Sequence, residues 1–342
     1  MNNEIDIAFA MLRGAIFGPS SLRLFDCSTF NTKDWWNLFR LLQRNHVAAL
    51  ASRAFDYMDP SQLPPRDVLI PWIAERDKAV NWHRHQASVQ QEIIDIMQKH
   101  GIETLVLKGT HTAQYYPQAE LREFGDLDLY FYNKHNEADR VAREVMRVEV
   151  SNDAHHHSKY NYHGVTVESH YDFLNIHYPP SNRRYETLLK ELAPSSTFEV
   201  LFLLRHMAGH FAASRITLRE LVDWTLTYRT LDSQVDWNLV EKAINDYGMT
   251  DFVAALNAIA NNRLATQPPS YSVTQSLVEK DIVYGSIGDH NADGLSRLGW
   301  KMKRWHALGW KRKMVYNDNA HCLWLASFAS HTMKPQSILH KQ

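Results

Sequence analysis

Apolar residues recur at helical spacing through the first hundred residues of the chain. Trp35, Leu38, Phe39 and Leu42 follow the i, i+3, i+4, i+7 pattern of an amphipathic helix. Thr32 stands just before this run, where a capping hydroxyl is expected. The pattern therefore predicts a helix that begins at about residue 32 and buries one face.

A second, longer helix is predicted after a proline-rich stretch at 60–71, which itself predicts loops. Gly101 stands where a left-handed residue ends many helices. The predicted apolar stripe of this helix consists of Trp82, Val89, Ile93, Ile96 and Met97.

From residue 102 onward, the spacing between apolar residues changes and the predicted elements become shorter. Short runs at 104–107 and 127–132 predict strands, and 110–116 and 135–148 predict helices. Segments 156–162 and 165–171 alternate around His163-Gly164, which predicts a tight β-hairpin. Helical periodicity returns at 198–211 and 218–231, and 267–276 is expected to be a linker or exposed loop. We therefore predict an α+β fold: helical lobes at 1–100 and 179–342 flanking a small mixed-sheet core at 101–178.

Composition narrows the class of protein without identifying it. The 342 residues are 44% hydrophobic and 22% charged, as in ordinary globular proteins. A formal net charge of −1 gives no support to binding of nucleic acid along the whole chain. The two cysteines, Cys27 and Cys322, form neither a disulfide framework nor a zinc ribbon. No basic leader and no apolar run of ~18 residues is seen, so we expect a cytoplasmic protein without a membrane span.

Two aspartates in the second predicted strand are candidates for metal binding. Successive strand residues point to opposite faces, so Asp126 and Asp128 share one face and Leu127 and Leu129 share the other. Carboxylates about 7 Å apart along a strand repel unless a cation lies between them. Glu168 lies on one face of a later strand and would complete a set of three carboxylates if the strands are neighbours. Mg²⁺ or Mn²⁺ suits such oxygen ligands, and one or two such ions serve phosphoryl or nucleotidyl transfer.

The turn between the first predicted strand and its helix is a candidate phosphate site. Gly109 lets backbone amides approach a phosphate closely, Lys108 adds a positive charge, and Thr110 adds a hydroxyl donor. Arg122 can form paired contacts with a phosphate. These four residues form the predicted nucleotide-binding set.

A strand ending in Gly-Thr, a helix, Asp-x-Asp on a second strand and a later strand with one acidic residue resemble, in this order, the DNA polymerase β-type nucleotidyltransferase superfamily. More narrowly, the motifs LVLKG, YYP, a single arginine, GDLDL and VTVESH are similar to a little-characterised bacterial family of nucleotidyltransferases. This similarity covers residues 100–231 and extends to the helix with His206 and His210 and to the helix LRELVDW with Asp223. The resemblance implies that Asp126 and Asp128 bind both ions and that Glu168 binds the catalytic ion. An NTP would be the substrate, with its β- and γ-phosphates held by Lys108, Gly109 and Thr110.

Two positions depart from the family pattern. Thr110 replaces the usual serine, and Ser169 stands where the family has an apolar residue between Glu168 and a histidine. That histidine, His170, shares the face of Glu168, so we expect it to contact the metal ligands without binding the metal itself. The sequence does not name the acceptor, which could be a small molecule, a protein or RNA.

Several other features have more than one interpretation. His206 and His210 share a helix face, but Met207 occupies the position where a zinc protease has glutamate, so packing or substrate contact is expected. The histidine run 155–157 is expected to alternate across a strand. The basic, tryptophan-rich stretch 300–313 predicts a packed helix with a basic exposed side. Two alternative functions stay open: a catalytically silent, nucleotide-binding regulator, and an RNA-modifying nucleotidyltransferase.

Overall fold

The computed structural model describes residues 4–22, 26–152, 157–264, 273–285 and 297–332. Within these ranges the chain is mostly helical and contains one four-stranded mixed sheet. The predicted α+β class is therefore confirmed. No helix in the described ranges is long and apolar enough to cross a membrane.

Four helices precede the sheet: α1 (Glu4–Phe17), α2 (Thr32–Arg44), α3 (Ala48–Ala51) and α4 (Arg66–Lys99). The cap of α2 is Asn31 rather than Thr32, because the Asn31 side chain accepts from the amides of Lys33 and Asp34. Pro71, expected in a loop, lies inside α4. Gly101 ends α4 with a φ of 69°, as predicted.

The buried face of α4 differs from the predicted stripe at one end. Trp82 is 38% exposed, whereas His83 and Gln86 are buried beside Val89, Ile93 and Met97. Most residues around Trp82 are polar, so hydrophobicity alone predicts that Trp82 is buried, which is wrong.

The sheet contains β1 (Leu105–Val106), β2 (Asp126–Tyr130), β3 (His157–Tyr162) and β4 (Val165–His170), with α5 (Thr110–Ala113) after β1 and α6 (His135–Glu144) after β2. The strand order is β1-β2-β4-β3, in which β2 and β4 are parallel and the outer pairs are antiparallel. The predicted hairpin is confirmed: His163 and Gly164 both have positive φ, 49° and 81°. His155 and His156 lie outside the described residues.

One face of the sheet is apolar and the other carries the polar residues. Leu127, Leu129, Val165 and Val167 are fully buried against α4 and α6, as strand alternation predicts. Ser169 is buried on this same face near Asp139 of α6, whose carboxylate accepts from the Ser158 hydroxyl at 2.6 Å. The serine that departs from the family pattern thus lies behind the sheet, on the face opposite Glu168.

The helices after the sheet are α7 (Asn182–Leu192), α8 (Ser196–Ala213), α9 (Leu218–Leu231), α10 (Trp237–Asp246), α11 (Thr250–Ile259), α12 (Val273–Tyr284), α13 (Arg297–Ala307), α14 (Gly309–Val315) and α15 (Ala320–Thr332). Most of the segment predicted as a linker, 267–276, lies outside the described residues, and its last residues begin α12. A large core cluster joins these helices to α1–α4 and to Tyr130 of the sheet. The division of the chain at residues 100 and 178 stays a prediction.

The basic stretch 300–313 forms two helices instead of one, since α13 ends before Leu308 and α14 begins at Gly309. Lys311 is fully buried and pairs with Asp281 at 2.6 Å. Arg312 is also buried and lies over the Trp305 ring at 3.6 Å. Two of the basic residues expected on an exposed side are therefore internal.

Candidate active site

The carboxylates predicted to converge lie on one face of neighbouring strands. In the parallel register of β2 and β4, Asp128 is the direct partner of Glu168. Asp126 lies two residues before Asp128 on the same face, and its neighbour on β4 is Thr166. The structure therefore brings together the three residues predicted to bind metal.

Asp128 is the buried centre of this group. Its Oδ1 atom lies 3.0 Å from Lys108 Nζ and 3.1 Å from His170 Nε2. Burial alone would raise the pKa of Asp128, but Lys108 and His170 outweigh burial and hold that pKa well below its usual range. His170 thus contacts a predicted ligand directly.

Asp126 has the opposite electrostatic environment. It is half-buried, and burial raises the pKa of its carboxyl, with a further contribution from the charge of Asp128 and a smaller one from Glu168. Lys108 offsets only part of this rise. Asp126 is therefore the carboxylate of the group that would gain most from a bound cation.

Glu168 is surrounded by basic side chains from the hairpin. Lys159 Nζ lies 3.1 Å from Glu168 Oε1, His157 Nε2 lies 3.4 Å from the same atom, and His170 Nε2 lies 3.9 Å from Oε2. Burial, followed by the charge of His170, lowers the pKa of His157 to about 4, so this imidazole is neutral at pH 7.

The Gly109 turn has a backbone conformation that only glycine adopts readily. Its φ is 64° and its ψ is −114°, and α5 starts at the next residue. The Thr110 hydroxyl donates to Gln90 Oε1 of α4 at 2.6 Å. The Thr110 hydroxyl thus has a protein partner in this structure. Its predicted contact with a phosphate stays a prediction.

Arg122 holds this turn in place through hydrogen bonds. Its Nη1 donates to the Gly109 carbonyl oxygen at 3.1 Å, while Nε and Nη2 both donate to the carboxylate of Asp223 in α9 at 2.8 Å. The Tyr116 hydroxyl donates to Asp223 as well, at 2.7 Å. Arg122 is 5% exposed, so it acts here as a buried brace, and its predicted contact with a phosphate stays untested.

Residues 31–265 match a family described as uncharacterised nucleotidyltransferase. This span is well over half of the chain and contains every predicted site residue. The chain belongs to this nucleotidyltransferase family. Searches of curated proteins and of solved structures give no significant match.

The match to the nucleotidyltransferase family covers a defined part of the chain. The matched span runs from the cap of α2 to the end of a short π-helical turn after α11. The carboxylates, the Gly109 turn and the Asp223 brace all lie inside it. The basic stretch 300–313 lies outside it, so that stretch is no part of what defines the family.

Helix α8 supplies residues to the site that sequence patterns did not assign. His206 Nε2 accepts from Lys108 Nζ at 3.2 Å, which fixes the ammonium group between α8 and Asp128. Burial and the charge of Lys108 hold the pKa of His206 well below its usual value. The ring of His210 lies 4.4 Å from that of His206. A metal role for this pair is not needed to explain its position.

A second polar group lies where α8 meets the helix after Gly109. Glu199 accepts from the Tyr115 hydroxyl at 2.5 Å and pairs with His111 Nε2 at 2.9 Å. Glu199 and His206 are seven residues apart on α8, so they lie two helical turns apart along one side of the helix. Their contacts tie the turn at Gly109 to the helices that follow the sheet.

His157 and Lys159 are functional candidates that the sequence does not assign to the carboxylate group. Both lie on β3 directly across from β4, with His157 paired to His170 and Lys159 paired to Glu168. The position of the hairpin turn could have identified them. With the turn at His163-Gly164, strand pairing places these residues beside Glu168. His206 could not be found in this way, because it depends on the packing of α8.

We expect Gly109→Ala to destabilise the protein by about 1–3 kcal/mol, because alanine is strained at this φ. The added Cβ would also lie 3.0 Å from the Phe124 ring. Unfolding in urea would measure the loss. Gly125→Ala is the matched control, since its Cβ would meet nothing within 4 Å. An equal effect of both substitutions would show that the turn is not constrained.

Proposed function

We propose that this protein transfers a nucleoside monophosphate from an NTP to an acceptor hydroxyl or similar group and releases pyrophosphate. The observation that carries the proposal is the convergence of Asp126, Asp128 and Glu168 on one face of the paired strands β2 and β4. Family membership supports nucleotidyl transfer in general. The metal, the NTP and the acceptor belong to the proposal.

The residues fit a divalent cation with oxygen ligands. Three carboxylates share one face of the paired strands β2 and β4, and the pKa of Asp126 is raised first by burial and then by the negative charge of Asp128. Mg²⁺ or Mn²⁺ would be held by Asp126 and Asp128, with Glu168 at the catalytic ion. When bound, such ions neutralise the triphosphate and activate the attacking oxygen.

The protein's own residues position the substrate in this scheme. Lys108, fixed between Asp128 and His206, presents a positive charge at the edge of the carboxylate group. The Gly109 turn follows at once and offers backbone amides to the β- and γ-phosphates. We assign Arg122 to the nucleotide-binding set through this turn, whose carbonyl oxygen it holds, and not through a direct phosphate contact.

One observation favours the silent, nucleotide-binding alternative. Lys108 lies 3.0 Å from Asp128, so an ammonium group already neutralises the most buried carboxylate. In a regulator that binds no metal, this ion pair would stabilise the buried carboxylate of Asp128 in place of a metal ion. The RNA-modifying alternative loses support, because Lys311 and Arg312 of the basic stretch are buried and cannot face a phosphate backbone.

The test is transfer of label from each α-³²P-labelled NTP, with Mg²⁺ or Mn²⁺, to three separate acceptor pools: the protein itself, RNA and small metabolites. We expect label in one pool, and a loss of roughly 10²–10³-fold in Asp126→Asn. Asp77→Asn, at an aspartate whose side chain is 66% exposed, is the matched control and should keep full activity.

Two outcomes would contradict the proposal. Nucleotide binding without label in any pool, under both metals, would favour the silent regulator. Equal transfer by Asp126→Asn and wild type would remove the carboxylate group from the reaction. Label in RNA that falls steeply with salt would instead identify the RNA-modifying enzyme.

A further inference from the structure

The hairpin of β3 and β4 carries two histidines beside the proposed catalytic glutamate. We propose that His157, Glu168 and His170 form a binding site for a transition-metal ion such as Co²⁺ or Zn²⁺. The inference rests on the proposed function, because Glu168 belongs to both. It adds His157 as a ligand and changes the class of metal that the protein prefers.

The three side chains lie close enough to form a ligand set. One ligand atom from each residue lies within 4.8 Å of the other two, a separation that a single ion can bridge after small side-chain rotations. His157 Nε2 and His170 Nε2 approach opposite oxygens of Glu168, at 3.4 and 3.9 Å. The two imidazole rings are 5.2 Å apart.

Strand pairing explains why the set is rigid. His157 and His170 are direct partners in the antiparallel register, and Glu168 lies two residues before His170 on the same face. His170 is 4% exposed, and the side chains of His157 and Glu168 are 13% and 14% exposed. Ligands on paired strands keep their spacing better than ligands on loops.

The second ring nitrogen of His170 has the kind of partner that metal-ligating histidines use. Nδ1 lies 3.3 Å from the carbonyl oxygen of Asp172, while Nε2 faces the carboxylates. A histidine ligand usually donates its other N–H to a carbonyl or carboxylate, which fixes the ring and the tautomer. When an ion replaces Asp128 as the partner of Nε2, the proton of a neutral His170 lies on Nδ1, and Nε2 directs its lone pair toward the ion beside Glu168.

The ligand types decide which ions fit. Imidazole nitrogen suits Zn²⁺, Co²⁺ and other first-row ions, whereas Mg²⁺ prefers oxygen ligands and gives up water reluctantly. Two imidazoles and one carboxylate therefore favour a transition metal. Lys159, whose side chain is 50% exposed, can swing away from Glu168 into solvent when an ion binds.

The experiment measures metal binding by the metal-stripped full-length protein without nucleotide. We expect Co²⁺ to give visible absorption bands and Zn²⁺ to bind more tightly than Mg²⁺. His157→Ala should weaken binding of the transition metals at least about 10-fold and leave Mg²⁺ binding unchanged. His100→Ala, at an exposed histidine that ends α4, is the matched control and should bind as wild type.

A second variant guards against misfolding: His157→Gln, checked by circular dichroism, should fold normally and show the same loss. Equal affinities of wild type and both His157 variants, or no preference over Mg²⁺, would overturn the inference. Nucleotidyl transfer by the wild type with Mg²⁺ alone would then leave the proposed function intact. Histidine-dependent metal binding without transfer would contradict the proposed function and support this site.

Discussion

Asp223→Asn is expected to lower the free energy of unfolding by about 3–5 kcal/mol, because it leaves the guanidinium of Arg122 buried without its counter-ion. Both partners are almost completely buried, and two hydrogen bonds of 2.8 Å join them. The hydrogen bond from Tyr116 would be weakened in the same step. Unfolding in guanidinium chloride at pH 7 measures the effect.

The control for this prediction is Asp232→Asn, at an exposed aspartate just after α9, which should change stability by less than about 0.5 kcal/mol. The double variant Arg122→Met with Asp223→Leu removes both charges and should recover most of the loss. If the double variant were as unstable as the sum of the single variants, the two residues would not act as a pair.

The two aspartates of β2 are expected to respond in opposite directions when each is changed to asparagine in the presence of chelator. Asp128→Asn should cost about 3 kcal/mol, since it removes the partner of Lys108 and His170. Asp126→Asn should leave stability equal or higher, since it removes a carboxylate whose charge is opposed by burial and by its neighbours.

The pH dependence follows from the direction of each pKa shift. The pKa of Asp128 is depressed in the folded protein, so its contribution is present above the unfolded pKa and is lost as pH falls. The pKa of Asp126 is raised, so the stability that it contributes is present at low pH and is lost as pH rises through the folded pKa. Unfolding from pH 8 down to about pH 2 would therefore separate the variants, because the contribution of Asp128 is lost only below its unfolded pKa of about 3.9. Equal effects of both substitutions at pH 7 would contradict this assignment.

The local part of the site could be predicted from sequence because it depends on a period of two. Asp126 and Asp128 alternate with Leu127 and Leu129 within five residues, and the fully buried leucines confirm that alternation. The same period of two puts Glu168 on the face opposite the buried Val167 and Ser169. Its position beside Asp128 also needs the pairing of β2 with β4, which the sequence leaves as a condition and which the sheet topology shows to be parallel.

The partners of these residues could not be predicted, because they come from distant helices. Nothing in the sequence near Arg122 indicates that its carboxylate partner is Asp223 in α9, and a buried brace and a phosphate ligand look alike in sequence. The contact of Lys108 with His206 depends equally on how α8 packs beside the sheet. At the start of α2, a neighbouring asparagine and threonine are both good capping residues, and only backbone geometry distinguishes them.

The ion pair between Arg122 and Asp223 also has a consequence during protein synthesis, because the residues of the site are synthesised at different times. The two residues are 101 positions apart, and Lys108 and His206 are 98 apart. At roughly 5–20 residues per second, synthesis reaches Asp223 about 5–20 s after Arg122. For that interval the nascent chain has its arginine and the carboxylates of β2 but not the complete α8 and α9. The active-site face is thus completed only after about two thirds of the chain has been made.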